Sequence, residues 1–315
     1  MYLNFEEAYK KYLIYIDNKL KQQTKRVLKG RFENQIIPYW REFNVFCVNE
    51  FDYLKWQNEI ELNSYSNNYK KNLHYLMTNF FDFLIKYFNV EKNIPRLVGN
   101  FKLKNEIKKY NIYSCSEFNR FIKCVDNEIY KQFFNLLFFT GLRPGEAMAL
   151  KFTDLDKRIL FINKTIDEHG SREIGTPKTV SSIREIEIDR KLNRDILKLK
   201  KIYCSKYNEF SNNYFIFGGI KPLSPTTINR YKIKACQKAN IKPIKLHEFR
   251  HSHATMLVEK KLMIKEVSRR LGHSDSNITL NVYTHATKVH EKKVIKTLNF
   301  IRLFHWQKEQ HREFI

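Results

Sequence analysis

Residues 89–114, NVEKNIPRLVGNFKLKNEIKKYNIYS, constrain the fold most, because no helix or strand of a shared core can run through them. Pro95 and Gly99 interrupt any regular element, and the lysine-rich run behind them is too weakly periodic to present an apolar face. The chain is therefore expected to fold as two bodies, residues 1–100 and 113–315, joined by an exposed linker over 101–112. A length of 315 residues is enough for two cores of ordinary size.

The segment before the break reads as helical throughout. FEEAYKKYLIYIDNKL repeats apolar residues at spacings of three and four, and so do QTKRVLKGRFENQIIPYW and EFDYLKWQNEIEL. NNYKKNLHYLMTNFFDFLIKYF is longer and aromatic on one face. Four or five helices in a compact bundle follow, with the aromatics inside and lysine and arginine outside. Beyond the break, SCSEFNRFIKCV offers Ser116 as a helix cap. NEIYKQFFNLLFFTGLRPGEAMAL reads as an apolar helix, a break at Gly141 and a new helix with Pro144 in its first turn. RILFI, SREIG and IREIEI alternate as strands of a small sheet, and from about residue 190 only YFIFGG departs from a helical pattern. The expected class is mainly α with a small β-sheet in the C-terminal domain.

Charge narrows the partners. The chain carries 57 Lys and Arg against 33 Asp and Glu, a net +24. Residues 1–100 hold 15 basic and 11 acidic residues, so most of the excess lies beyond them. A basic surface of this size favours a polyanion through phosphate contacts and counterion release. Lys, Asn, Ile, Tyr and Phe all have AT-rich codons, so an AT-rich genome raises the lysine count by itself. No apolar run approaches a membrane span, and MYLNFEEAYKK does not read as a signal peptide. Five cysteines at 47, 115, 124, 204 and 236, with no C-x-x-C pair, fit reduced thiols in a cytoplasmic protein, and no membrane partner is expected.

The stretch HEFRHSH, residues 247–253, contains H-E-x-x-H, the spacing of a zinc protease. On a helix, however, His247 shares its face with Arg250 and His251, and a guanidinium beside a dication is electrostatically unfavourable. A cation and an imidazole on one face suit an oxyanion, so no metal and no cofactor is expected. Three further stretches point the same way. TGLRPGEAMAL puts Arg143 at a helix start, where free amides favour an anion. TPKTVSSIREIEI places Lys178 in a turn before a strand, and LGHSDSNITLNVYTH places His273 ten residues before Tyr283.

Taken in order, these stretches resemble the tyrosine recombinase (phage integrase) family, whose signature is T-G-x-R-x-x-E, a hairpin lysine, H-x-x-R, L-G-H and a tyrosine. The resemblance runs from about residue 112 to the end. Residues 1–100 resemble the family's helical core-binding (SAM-like) domain, with no sharp motif. The resemblance implies a two-domain clamp around double-stranded DNA and metal- and ATP-independent strand transfer. Tyr283 would be the nucleophile, giving a covalent 3′-phosphotyrosine. Arg143 and Arg250 would hold the non-bridging oxygens. His247 would be the general base, Lys178 the general acid, and His273 a phosphate hydrogen-bond donor. Glu146 would support the arginine and histidine, or be an ordinary first-turn glutamate. Lys151 and Lys164 lie near Lys178, and the PKTxxSxR context favours Lys178. His251, His253 and His285 are read as structural.

The family's mode of action implies a homotetramer on paired recombination sites, a Holliday junction, and accessory DNA-bending or excision factors. The tail HEKKVIKTLNFIRLFHW carries Val294, Ile295, Leu298 and Ile301 at helical spacing and would dock on a neighbouring protomer. Many integrases of mobile elements carry an arm-binding N-terminal module, whereas this chain begins at the helical domain, either as a two-domain recombinase or as a trimmed form of a longer one. Integration or excision of a mobile element is the favoured role. The alternatives are chromosome-dimer resolution, a type IB topoisomerase-like enzyme and a catalytically silent DNA-binding protein.

Overall fold

A computed structural model of the chain describes residues 2–20, 22–102, 111–167, 173–177 and 180–272. The chain divides into two compact units, Met1–Lys108 and Lys109–Ile315.

In the first unit, α1 (Phe5–Asp17) begins where the Asn4 side chain accepts the Glu7 N–H at 2.8 Å, with Glu6 and Glu7 facing the positive end of the helix dipole. Its stripe of Phe5, Ala8, Tyr9, Tyr12 and Ile16 is buried. α2 (Gln22–Arg31) runs through a π-helical turn, Phe32–Ile36, into the short α3 (Ile37–Trp40). An Asn49–Asp52 capping box opens α4 (Glu50–Glu61), and Ser66 caps α5 (Asn67–Phe88), which ends at Asn89 with φ 56°. The core is aromatic: Tyr9 stacks on Phe32 at 4.7 Å, and Tyr12 meets Phe80 edge-on at 5.3 Å. Each such pair adds about 0.5–1.5 kcal/mol beyond the area it buries. A further short helix, α6 (Ile94–Val98), forms where the sequence shows a break. Asn93 caps it, and the Gln57 side-chain amide donates to Gly99 O at 2.9 Å. Phe101 is buried beside Trp56, with ring centroids 5.8 Å apart.

The second unit opens with α7 (Cys115–Lys123). Its cap is Ser114, not the expected Ser116, because Glu117 stands three residues after Ser114 and closes a reciprocal capping box. α8 (Glu128–Thr140) is the apolar helix expected, and it ends on Gly141 at φ 68°. α9 (Pro144–Ala149) follows at once. Strands β1 (Leu155–Asp156), β2 (Ile159–Ile162) and β5 (Arg184–Glu187) form an antiparallel sheet in the order β1-β2-β5, with Leu160 opposite Ile186 and Ile162 opposite Arg184. β3 (Thr165–Ile166) and β4 (Ile174–Gly175) pair separately. Helices α10 (Arg190–Lys206), α11 (Pro225–Ala239), α12 (Leu246–Glu259) and α13 (Ile264–Leu271) complete the described part. YFIFGG is a turn in which Phe215 bridges Gly219 and Lys151. Phe118, Phe134 and Phe249 anchor a core in which Phe118 stacks on Phe138 at 3.8 Å. All five cysteines are unpaired. Among the described residues no helix is long and apolar enough to cross a membrane.

Candidate active site

Four of the expected site residues lie among the described residues: Arg143, Glu146, His247 and Arg250. Lys178, His273 and Tyr283 lie outside them.

Arg143 is the N-cap of α9, placed there by the turn at Gly141 and by Pro144, which fixes the first helical φ. Glu146, three residues on, reaches back to the Arg143 N–H at 3.0 Å and takes Arg143 Nη1 at 2.7 Å. Nη1 also donates to Ser182 Oγ at 3.1 Å, and Nη2 to Gly272 O at 3.3 Å. About a third of the Arg143 side chain remains exposed. Glu146 is 2% exposed, and burial alone would raise its pKa; Arg184 and then Arg143 outweigh that and hold it below the usual carboxylate range. Arg184 at the start of β5 donates to both Glu146 oxygens, at 3.2 and 3.0 Å.

Arg250 comes from the first turns of α12 and is 1% exposed. Its Nη1 donates to Gly141 O at 2.8 Å and its Nη2 to Leu271 O at 2.7 Å. Both are carbonyls at helix ends, where acceptors are in excess. Burial, then Arg143, lowers its pKa to about 9, which leaves it charged at neutral pH. The site therefore holds three guanidinium groups around one carboxylate, a local excess of positive charge suited to a phosphate.

His247 stands one turn before His251, with ring centroids 5.0 Å apart. Desolvation by the surrounding protein, then His251, Arg250 and Arg143, lowers its pKa to about 4, although the residue is solvent-exposed, which tempers the first of these causes. It is a neutral acceptor at pH 7. Glu248, the glutamate of H-E-x-x-H, is turned to structure: its carboxylate takes the Lys245 N–H at 2.6 Å and the Asn111 N–H at 3.3 Å. Ser252 Oγ, one turn on, accepts the Tyr113 N–H at 2.9 Å. Among the described residues no group of three His, Cys, Asp or Glu is placed to hold a metal ion.

Two lysines near Lys178 in the sequence have other engagements. Lys164 Nζ is 2.7 Å from buried Asp154, and Lys151 Nζ lies 5.5 Å from the Phe215 ring centre. Arg184 was not singled out in the sequence, where IREIEI reads only as an alternating strand. Its signal was the arginine that ends PKTxxSxR.

Residues 114–290 match the family described as "Phage integrase family", more than half of the chain. The chain belongs to the phage integrase family. Among curated relatives, it is 33% identical over 206 residues to the ICEBs1 integrase of Bacillus subtilis, covering 61% of this chain and 55% of that one. It is 31% identical over 222 residues to a "Tyrosine recombinase XerC-like" of Caldanaerobacter subterraneus, covering 63% and 55%. This integrase-family chain thus spans about half the length of the curated relatives it matches. Its fold is that of the Tn1549 transposon integrase solved with transposon right end DNA, at TM-score 0.74 and 19% identity over 94% of this chain and all of that one. It is also that of a lambda integrase dimer bound to a COC′ core site, at TM-score 0.69 and 16% identity over 90% and 95%.

Proposed function

We propose that the chain is a site-specific DNA recombinase that cuts and rejoins duplex DNA through a covalent 3′-phosphotyrosine on Tyr283. The observation that carries this reading is the Arg143–Glu146–Arg184 cluster beside Arg250 and His247, a concentration of cationic groups inside the region that matches the family. Arg143 is the group that meets the phosphate. It is held by Glu146, Ser182 and Gly272, yet part of its guanidinium is exposed. Arg250 ties α12 to the ends of α8 and α13 through Gly141 and Leu271 and adds buried positive charge.

In the first step the Tyr283 oxygen attacks phosphorus and passes its proton to His247. The phosphate charge offsets Arg143 and Arg250, so the histidine becomes a better base once DNA is bound. The arginines stabilise the extra charge that builds on the non-bridging oxygens. The bond to the 5′ oxygen breaks, and Lys178 supplies the proton that oxygen needs. The engagements of Lys164 with Asp154 and of Lys151 with Phe215 support Lys178 for this role. His273 donates a hydrogen bond to the phosphate. A 5′ hydroxyl from a second strand reverses the sequence and frees the tyrosine, so the energy of the broken bond is kept and no ATP is needed.

The first unit acts as a core-binding domain and the second as the catalytic domain, with four copies pairing two sites through a Holliday junction. The lambda integrase tetramer solved on a Holliday junction, at TM-score 0.70, supports that assembly. Relatives named for ICEBs1, phage L54a and Tn1549 favour integration or excision of a mobile element. Those named XerC-like, XerD and XerH keep chromosome-dimer resolution as the second reading.

The test is a nicked suicide substrate, from which the 5′ fragment diffuses away before religation. Wild type should trap a protein–DNA adduct that maps to Tyr283. Tyr283→Phe should bind DNA with an unchanged salt dependence, since no phosphate-contacting cation is altered, and should form no adduct. An adduct on another tyrosine, or cleavage by the Phe variant, would refute the assignment.

A further inference from the structure

Arg143 and Arg184 are two parallel struts between the same three segments. Arg143 reaches Glu146 on α9, Ser182 in the turn before β5, and Gly272 at the end of α13. Arg184 reaches Glu146 on α9, the Ser182 carbonyl at 2.9 Å, and the Arg270 carbonyl at the end of α13 at 2.9 Å. They differ in what is left over. The Arg184 side chain is 8% exposed, and its Nε and both Nη groups are engaged. Arg143 has Nε and part of Nη2 without a hydrogen-bond partner among the described residues, and its side chain is 33% exposed.

We propose that Arg184 is a positioning residue: it fixes Glu146, the 180–182 turn and the end of α13, and thereby sets the orientation in which Arg143 meets a DNA phosphate. The inference rests on the reading that Arg143 binds phosphate. Its physical basis is the fork. A guanidinium addresses both carboxylate oxygens at once, which fixes the plane of Glu146 and so the direction of Arg143 Nη1. A lysine in place of Arg184 would leave Glu146 paired but free to turn. Without either cation at 184, the buried carboxyl would keep Arg143 as its one charged hydrogen-bond donor among the described residues, and its protonation would loosen that arginine. The same side chain also reaches two segments that are close in sequence to further expected site residues. The 180–182 turn begins two residues after Lys178, and Arg270 stands three residues before His273.

Two measurements on Arg184→Gln and Arg184→Lys test this, both well below each variant's unfolding temperature. Arg184→Lys keeps the buried carboxylate paired, so it remains usable if Arg184→Gln does not fold. The first is nitrogen-15 relaxation of the Arg143 side chain in the DNA-free protein. Rotation about its terminal bond should be slow in wild type and fast in both variants, and an Arg143 that stays locked in either overturns the proposal. The second is single-turnover adduct formation on a suicide substrate with either a normal diester or an uncharged methylphosphonate at the cleavage point. The variants should lose roughly 10–100-fold on the diester, the scale of losing a residue that orients a ligating group, with DNA affinity retained. On the methylphosphonate, which offers no charge for Arg143 to meet, the loss should largely vanish. Equal losses on both substrates indicate general damage to the fold and overturn the proposal. Absence of any adduct from wild type would overturn the reading of the reaction instead, and the relaxation measurement would still decide whether Arg184 positions Arg143.

Discussion

His253 occupies the space that a side chain on Gly141 would need. A Cβ at Gly141 would stand 2.7 Å from His253 Cδ2 and 2.5 Å from Leu271 Cδ2, and Gly141 itself sits at φ 68°. The end of α8, the middle of α12 and the end of α13 therefore meet at a point with no spare volume. Gly141→Ala should combine left-handed strain with overpacking and cost roughly 2–4 kcal/mol in urea unfolding. It should also slow adduct formation beyond what the stability loss explains, because Gly141 O receives Arg250 Nη1. An alanine variant as stable as the parent would show that the three helices can move apart.

The same histidine predicts an acid-sensitive fold. His253 Nδ1 lies 2.8 Å from the Phe138 carbonyl, which can only accept, so the proton sits on Nδ1. Nε2 is buried and has no hydrogen-bond partner among the described residues. Burial, then Arg270, lowers the pKa from 6.5 to about 3, against the pull of the Phe138 carbonyl. Because the folded pKa is depressed, the unfolded chain binds the extra proton first. Stability is complete above about pH 6.5 and falls from there toward pH 3, by up to about 1.4 kcal/mol per pH unit for this one group. His253→Asn keeps an N–H donor and removes the titration, so its unfolding free energy should vary less steeply between pH 6.5 and 4.5. Identical slopes for the two proteins would place the acid sensitivity elsewhere.

The choice of lysine can be read from the leaving group. A 5′ thiolate departs without a proton, so a 5′-phosphorothiolate substrate should restore cleavage to Lys178→Ala. Lys164→Ala should instead leave Asp154 buried without its cation. It should destabilise the protein by roughly 1–3 kcal/mol and show no selective recovery on that substrate. Recovery in the Lys164 variant, with none in the Lys178 variant, would reverse the assignment.

Deletion of residues 291–315 tests the tail, whose apolar stripe lies outside the described residues. Single-site DNA binding should persist while assembly on paired sites weakens, as measured by native gel or light scattering. Normal assembly of the shortened protein would remove the docking role.

Much of this architecture could be read from the sequence because it is local. The apolar period of α8, the glycine after it and Pro144 lie within a few residues of one another, and together they put Arg143 at a helix start. The strand alternation around Ile159 and Ile186 is equally local. What escaped was set by distance. Arg184 meets Glu146 across 38 residues, and nothing in IREIEI separates an arginine that enters a core from one that faces water. Ser114 and Ser116 compete for one cap, and the spacing to Glu117 decides between them. Pro95 and Gly99 suggested an open connection. Yet Asn93 and Gln57 supply the hydrogen bonds that let the backbone there lie against the first core. Glu248 has no signal of its own beyond the zinc-like spacing that Arg250 argues against, and its carboxylate takes the Lys245 N–H at the start of α12.

That cap has a mechanical consequence. Asn111 and Tyr113, where the described chain resumes after residue 102, give their N–H groups to Glu248 and Ser252 on α12. The incoming strand is thus tethered to the helix that carries His247 and Arg250. A pull on residues 111–113 therefore bears on α12 through these two backbone N–H groups, and on Lys242 and Cys236 through the Tyr113 hydroxyl. The first described segment of the second unit is thus fastened to the helix that carries two of the candidate site residues, so displacing that segment strains the helix as well.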